Sequence, residues 1–199
     1  MLMTSVEKIG AKAQTKRGYI CSSKNRLMLN KKVEKALNDQ IKVEADSSHA
    51  YLAMASWAEI HGYPGASTFL YAHSDEERMH MLKLIKFVND RGGKAIIPSI
   101  NQPEKEFKNL QNIFNLLLSH EHNVSAAINN VVDVCLKEKD YTTHNFMQWY
   151  VSEQIEEETL SHHIIDQLNL IGNDKGALYF FDRDVANLKG APQDGAKGK

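Results

Sequence analysis

The run Trp149-Tyr-Val-Ser-Glu-Gln-Ile-Glu-Glu-Glu158 sets acids where a helix should bury hydrocarbon. On an α-helix Glu153 lies four residues after Trp149, three after Tyr150, four before Glu157 and seven before Leu160, so the apolar stripe passes through the carboxylates, with Gln154 and Glu156 at its edges. Three other stretches repeat the pattern. Glu44 is seven after Leu37 and three after Ile41; Glu77 is seven after Leu70 and seven before Leu84, with His80 at i+3; Glu121 is seven after Phe114 and three before Val124. One such residue reads as a carboxylate paired with Lys or Arg, but four coincident stripes do not. Burying several carboxylates costs several kcal/mol per ion even after relaxation. Arg78, Lys83 and Lys86 project roughly 100° to 180° away from the second stripe, at about 100° per residue. Protonation alone would need many raised pKa values together. A pair of divalent ions neutralises the cluster more simply.

The donors are mostly carboxylate oxygen with one clear imidazole and no thiolate, which points to iron or manganese rather than structural zinc. Bridging carboxylates suit two ions a few ångströms apart, where dioxygen could take one electron from each iron. Tyr51, about two turns beyond Glu44 on the same face, could supply a further electron or a hydrogen bond, or simply pack.

These acids need long helices to carry them. Apolar or small residues recur with helical period from Leu29 to about His61, at Val33, Ala36, Leu37, Ile41, Ser48, Tyr51, Leu52 and Ala55. A second pattern runs from Ala66 through Phe69, Leu70, His73, Met81, Leu84 and Val88 to Arg91. The short link His61-Gly-Tyr-Pro-Gly65 makes the two antiparallel neighbours. Residues 92–108 hold Gly-Gly, Pro98 and Pro103 with little periodicity. At about 17 residues this connection reaches roughly 55 Å, enough to return along a helix of roughly 40 Å, so the third helix should run parallel to the second. That helix, about Asn109 to Lys139, carries Leu110, Ile113, Phe114, Leu117, Leu118, Val124, Ile128, Val131 and Val134. Asp140 suits the N-cap of a fourth helix ending at Gly172, and Ala177 to Leu188 suggests a shorter fifth. The expected fold is all-α: an up-down four-helix bundle with one long crossover connection and a short fifth C-terminal helix.

A chain of 199 residues, 42% hydrophobic with net charge -1, can bury one core. Residues 1–32 carry eight Lys/Arg against Glu7, so the N-terminus is basic and the body anionic. Residues 1–27 read as a disordered extension rather than a targeting segment, 28–190 as the domain and 191–199 as a mobile tail. Cys21 and Cys135 stand far apart, which suits the reducing cytoplasm, and no stretch approaches the roughly 20 apolar residues of a membrane span. His120, His122, His162 and His163 read as surface histidines, and Glu158 as solvated.

Three motifs, Leu37-Asn-Asp-Gln-Ile-Lys-Val-Glu44, Glu76-Glu-Arg-Met-His80 and Asn145-Phe-Met-Gln-Trp-Tyr-Val-Ser-Glu-Gln-Ile-Glu-Glu-Glu158, make the chain resemble a bacterial non-haem ferritin from about Met28 to Leu188. The resemblance implies a first iron site of Glu44, Glu77 and His80. It implies a second of Glu77 as bridge with Glu121 and Glu157, Gln154 sitting beside it, and a third, neighbouring site of Glu76, Glu153, Glu156 and Glu157. It further implies oxidation of Fe(II) by dioxygen or hydrogen peroxide, a ferric mineral stored in a hollow shell of twenty-four identical subunits, and no haem. The symmetric di-iron bundle carries Glu-x-x-His on two helices; here the second copy is Gln154-Ile-Glu-Glu157, which favours a loosely held second iron. A di-iron oxygenase or peroxidase shares the cluster but wants a substrate pocket and a redox partner. A mini-ferritin coating DNA through the basic N-terminus is opposed by four intra-chain carboxylates and the fifth helix, so nucleic acid is not an expected partner.

Overall fold

The computed structural model describes residues 29–188; the basic extension at 1–27 and the tail at 191–199 lie outside the described residues. Five helices follow in order: α1 Lys31–Ile60, α2 Pro64–Asp90, α3 Leu110–Lys137, α4 Tyr141–Ile171 and α5 Lys175–Val185. Most starts carry their own cap, an oxygen accepting an orphan backbone N–H of the first turn: Asn30 for α1, Asn109 for α3, Asp140 for α4 and Asp174 for α5. α2 instead begins with Pro64, and Tyr63 before it offers no capping side chain. The carboxylate of Asp182 on α5 does that work, accepting from Gly65 N at 3.1 Å and Ala66 N at 2.9 Å.

Two apolar clusters fill the bundle's ends. One joins Ala50–Ala58 of α1, Phe69 and Leu70 of α2, Leu110–Leu117 of α3, Ile164 and Leu168 of α4, and Phe181 and Val185 of α5. The other joins Val33–Ile41, Leu84 and Val88, Val124–Cys135, and Met147 and Tyr150. The start of α2 and the start of α3 therefore lie at one end, the ends of both at the other. The two run parallel, antiparallel to α1 and α4, and residues 91–109 cross the full length of the bundle, as the loop length required.

Between the clusters lies a polar waist: Gln40, Glu44, Ser47, Ser48, His73, Ser74, Glu77, His80, Glu121, Glu153, Gln154, Glu157 and Ser161 are all buried. Small residues let α1 and α2 approach here, where Ser48 Oγ donates to the Ser74 carbonyl at 2.8 Å and Ser74 Oγ to the Ser48 carbonyl at 2.7 Å.

Some stripe assignments change. Leu52 is 40% exposed and faces the crossover near Ile100. At the foot of α3, Cys135 rather than Val134 takes the buried position. No helix among the described residues is long and apolar enough to cross a membrane.

Candidate metal centre

Each long helix delivers at least one carboxylate to the waist. Glu44 comes from the middle of α1, Glu77 and His80 from α2, Glu121 from α3, and Glu153 and Glu157 from α4, all of them buried. Glu76 and Glu156 are half-buried at its margin. His80 Nδ1 lies 3.5 Å from Glu77 Oε2 and 4.0 Å from Glu44 Oε2. The imidazole is wedged edge-on against Trp149 and Tyr150, whose hydroxyl donates to the His80 carbonyl at 2.9 Å.

Glu121 meets neutral donors. Tyr51 OH donates a short hydrogen bond to Oε1, and Gln154 Nε2 donates to Oε2 at 3.3 Å. Gln154 is thus deeper than the stripe's edge. Gln40 Nε2 donates to Glu44 Oε1 at 2.8 Å. The second oxygens of Glu44, Glu77 and Glu157 are buried without a hydrogen-bond partner. A carboxylate oxygen left so is costly, and several facing one small volume is the arrangement a cation relieves.

The electrostatics agree. Burial, then the charge of Glu77, pushes the Glu44 carboxyl well above the usual carboxylate range. Burial with the charge of Glu121 does the same to Glu77, and burial with Glu157 raises Glu121 to about 7. The Tyr51 hydroxyl is also held well above its ordinary value, by burial and by Glu121.

Among the described residues, three groups have ligand atoms within 4.8 Å of one another: Glu44, Glu77 and His80; His73, Glu76 and Glu157; and Glu76, His80 and Glu153. The first is the set expected from the motifs. Glu156 joins none of the three among the described residues. His73, which the sequence reading counted as an ordinary stripe position, joins the second. Its Nδ1 lies 3.1 Å from the Phe69 carbonyl, and its Nε2 3.3 Å from Glu157 Oε2. With the Nδ1 proton on the carbonyl, the neutral ring turns a lone pair towards a carboxylate, a pairing that asks for a proton or a cation between them. Burial opposes charge on His73, but the nearby Glu157 carboxylate outweighs it and raises its pKa. The signal was present in the spacing, four residues before Glu77 and seven before His80.

Three surroundings differ from expectation. Lys83 points its ammonium over the Trp149 ring, 2.8 Å from the centroid, where burial lowers its pKa to about 8 against the charge of Glu153. Its long stem bends back towards the waist that its Cα faces away from. His120 is half-buried, edge-on to Tyr51 at 6.0 Å. Glu158 is half-buried and accepts a short hydrogen bond from Ser125 Oγ, so it is not simply solvated.

A ferritin-like domain profile matches residues 34–171, which contain every carboxylate of the waist. The chain belongs to the ferritin family. A probable bacterial non-heme ferritin-like protein of Haemophilus influenzae is 42% identical over 161 residues, spanning 81% of this chain and 98% of that one. The bacterial non-heme ferritin of Campylobacter jejuni is likewise 42% identical, over 81% and 96% of the two chains. Among solved structures, an open pore ferritin from the archaeon Archaeoglobus fulgidus superposes with a TM-score of 0.79 at 38% identity, covering 81% of this ferritin and 99% of that chain. Family membership and these Glu/His clusters together support an iron-handling, ferroxidase-type function.

Proposed function

We propose that this ferritin binds Fe(II) as substrate at the waist, oxidises it there with dioxygen or hydrogen peroxide, and stores the ferric product as a hydrated oxide inside a hollow shell, in the cytoplasm. The reading rests chiefly on the buried oxygens of Glu44 and Glu77 that lack a hydrogen-bond partner and lie beside His80. Glu44, Glu77 and His80 hold the first ion; Glu77, Glu121 and Glu157 hold the second, with Gln154 at its side. Glu76, Glu153, Glu156 and Glu157 hold a third, neighbouring position, with His73 beside Glu76 and Glu157.

Each of two Fe(II) ions gives one electron, and the oxidant accepts the pair with two protons. Carboxylates that are protonated when metal-free release protons on binding, because their charge is then met by the ion. Tyr51 orients Glu121 through its hydroxyl. Gln154 brings an amide where a carboxylate or imidazole would add a ligand, which keeps the second ion exchangeable.

Assembly into twenty-four subunits is part of the proposal. Apolar side chains left open on the single subunit support it: Ile96, Ile97 and Ile100 on the crossover, and Tyr179 and Phe180 on α5. An oxygenase or peroxidase reading would want a pocket at the metal ligands. The groove under the crossover, about 210 Å³ and lined by Asp46, Met54, Phe107 and His120, is not lined by them.

Anaerobic Fe(II) titration and sedimentation velocity test the reading. The unaltered protein should saturate its paired positions, oxidise Fe(II) on admission of air and sediment as a large closed oligomer. Glu44→Ala with His80→Ala should lose the first position and slow oxidation by two orders of magnitude or more, at about 1.4 kcal/mol of barrier per tenfold. Saturable binding and oxidation that survive the double substitution would refute the assignment; a monomer or dimer would refute the shell.

A further inference from the structure

Two pairs of residues, each spaced i,i+4, face each other where α3 meets α4: Glu121 with Ser125 on one helix, Gln154 with Glu158 on the other. Hydrogen bonds cross between them like rungs. Gln154 Nε2 donates to Glu121 Oε2 at 3.3 Å, Ser125 Oγ donates to Gln154 Oε1 at 3.0 Å, and Ser125 Oγ also makes a short hydrogen bond to Glu158 Oε1. Gln154 is buried, so both ends of its amide need a partner. For the metal centre the two ends are not equivalent. The Nε2 group facing Glu121 offers protons and cannot ligate, whereas the carbonyl Oε1 turned the same way could.

Sterics do not choose between these orientations, because they have almost the same shape and the terminal torsion of a glutamine is roughly two-fold. Glu121 chooses while its charge is unmet, since a carbonyl facing a carboxylate sets acceptor against acceptor. A bound cation removes that preference and attracts the carbonyl. What then opposes the turn is Ser125, because Oε1 would have to leave its donor. The serine has one hydroxyl proton for two acceptors, Gln154 Oε1 and Glu158 Oε1. Given to Gln154, the proton fixes the amide with Nε2 inward; given to Glu158, it leaves Ser125 Oγ ready to accept from a turned Nε2. A merely solvated serine explains less. The groove of about 180 Å³ lined in part by Ser125, Gln154 and Glu158 gives its hydroxyl room for water, and a helical serine can also bond its own i−4 carbonyl, yet here it contacts the amide that touches Glu121.

We infer that Ser125 is a positioning residue for the second metal position: it holds the Gln154 amide with its nitrogen towards Glu121 and denies the ion the carbonyl oxygen as a ligand. Glu158 competes for the same proton and weakens the hold. The inference rests on the waist being the metal centre proposed above, and it gives that centre a means of keeping its second ion exchangeable.

Release of Co(II) from the intact, cobalt-loaded protein to excess chelator tests this, the second position being the kinetic phase missing from Glu121→Ala. Ser125→Ala should release that ion about tenfold more slowly, whereas simple loosening of the site would speed release. Ser125→Thr, which keeps a hydroxyl, should restore the unaltered rate. Glu158→Ala leaves Ser125 a single acceptor and should release the ion at least as fast as the unaltered protein. In a Gln154→Leu background Ser125→Ala should change nothing, because it acts only through the amide. An unaltered or faster rate in Ser125→Ala, no rescue by Ser125→Thr, slowing in Glu158→Ala, or the same slowing without Gln154 each overturns the inference and leaves the metal centre standing. Absence of a Glu121-dependent phase from the unaltered protein overturns both.

Discussion

Glu121 receives two neutral donors, Tyr51 and Gln154, so its charge must be met by a proton or by a bound ion. Gln154 is where one substitution tests this most directly. Gln154→Glu replaces the donated hydrogen bond with a second acceptor and sets a like charge beside Glu121. The metal-free protein should lose about 1–3 kcal/mol, while the second metal position gains a ligand and releases its ion more slowly. Chemical unfolding without metal, and the rate at which a chelator strips Co(II), read the two effects; undiminished metal-free stability, or stripping that is no slower, would contradict the assignment. At this scale the sequence was only partly legible. The carboxylates stood out because acids on an apolar stripe are anomalous, whereas His73 did not, since a histidine there packs as readily as it ligates. Lys83 and Glu158 were misplaced for another reason: a helical wheel gives the direction of Cβ, and long side chains can turn back from it.

α5 is joined to the bundle by polar as well as apolar contacts. Phe181 and Val185 pack into the core, and Asp182 between them caps α2. A Cβ on Gly65 would stand 1.6 Å from the Asp182 carbonyl oxygen, so α5 reaches its seat only because residue 65 has none. Asp182→Ala should lower stability by about 1–2 kcal/mol, as loss of a helix cap does. Gly65→Ala should cost more, because the backbone of α5 must lift and expose Phe181. Thermal unfolding of both variants checks the order, which reverses if α5 is only loosely seated. The helices themselves were readable to within a few residues because periodicity, caps and breakers agreed. The contact between Asp182 and Gly65 was not: it joins residues 117 apart in sequence, and no local pattern announces it.

For the molecule as a whole, the raised carboxyl groups fix the sign of the pH response. The folded, metal-free chain keeps protons on Glu121 up to about 7, and on Glu44 and Glu77 well above their ordinary 4.5, whereas the unfolded chain has lost them. Where the folded state binds more protons, stability falls as pH rises. The metal-free protein should therefore lose stability between about pH 4.5 and 7, while the metal-loaded protein should not, and divalent-metal affinity should rise over the same interval. Unfolding midpoints measured with and without Co(II) across that range decide it; a metal-free midpoint that climbs with pH would mean the waist is compensated in some other way. The waist also bears on how the molecule coheres. Hydrophobic burial gathers the chain at two ends, and the layer between them is a band of buried carboxyl and other polar groups. Without bound ions, the two ends should open more independently of one another. Ions bound across all four helices would couple them, so that a bound ion would also clasp the two halves into one.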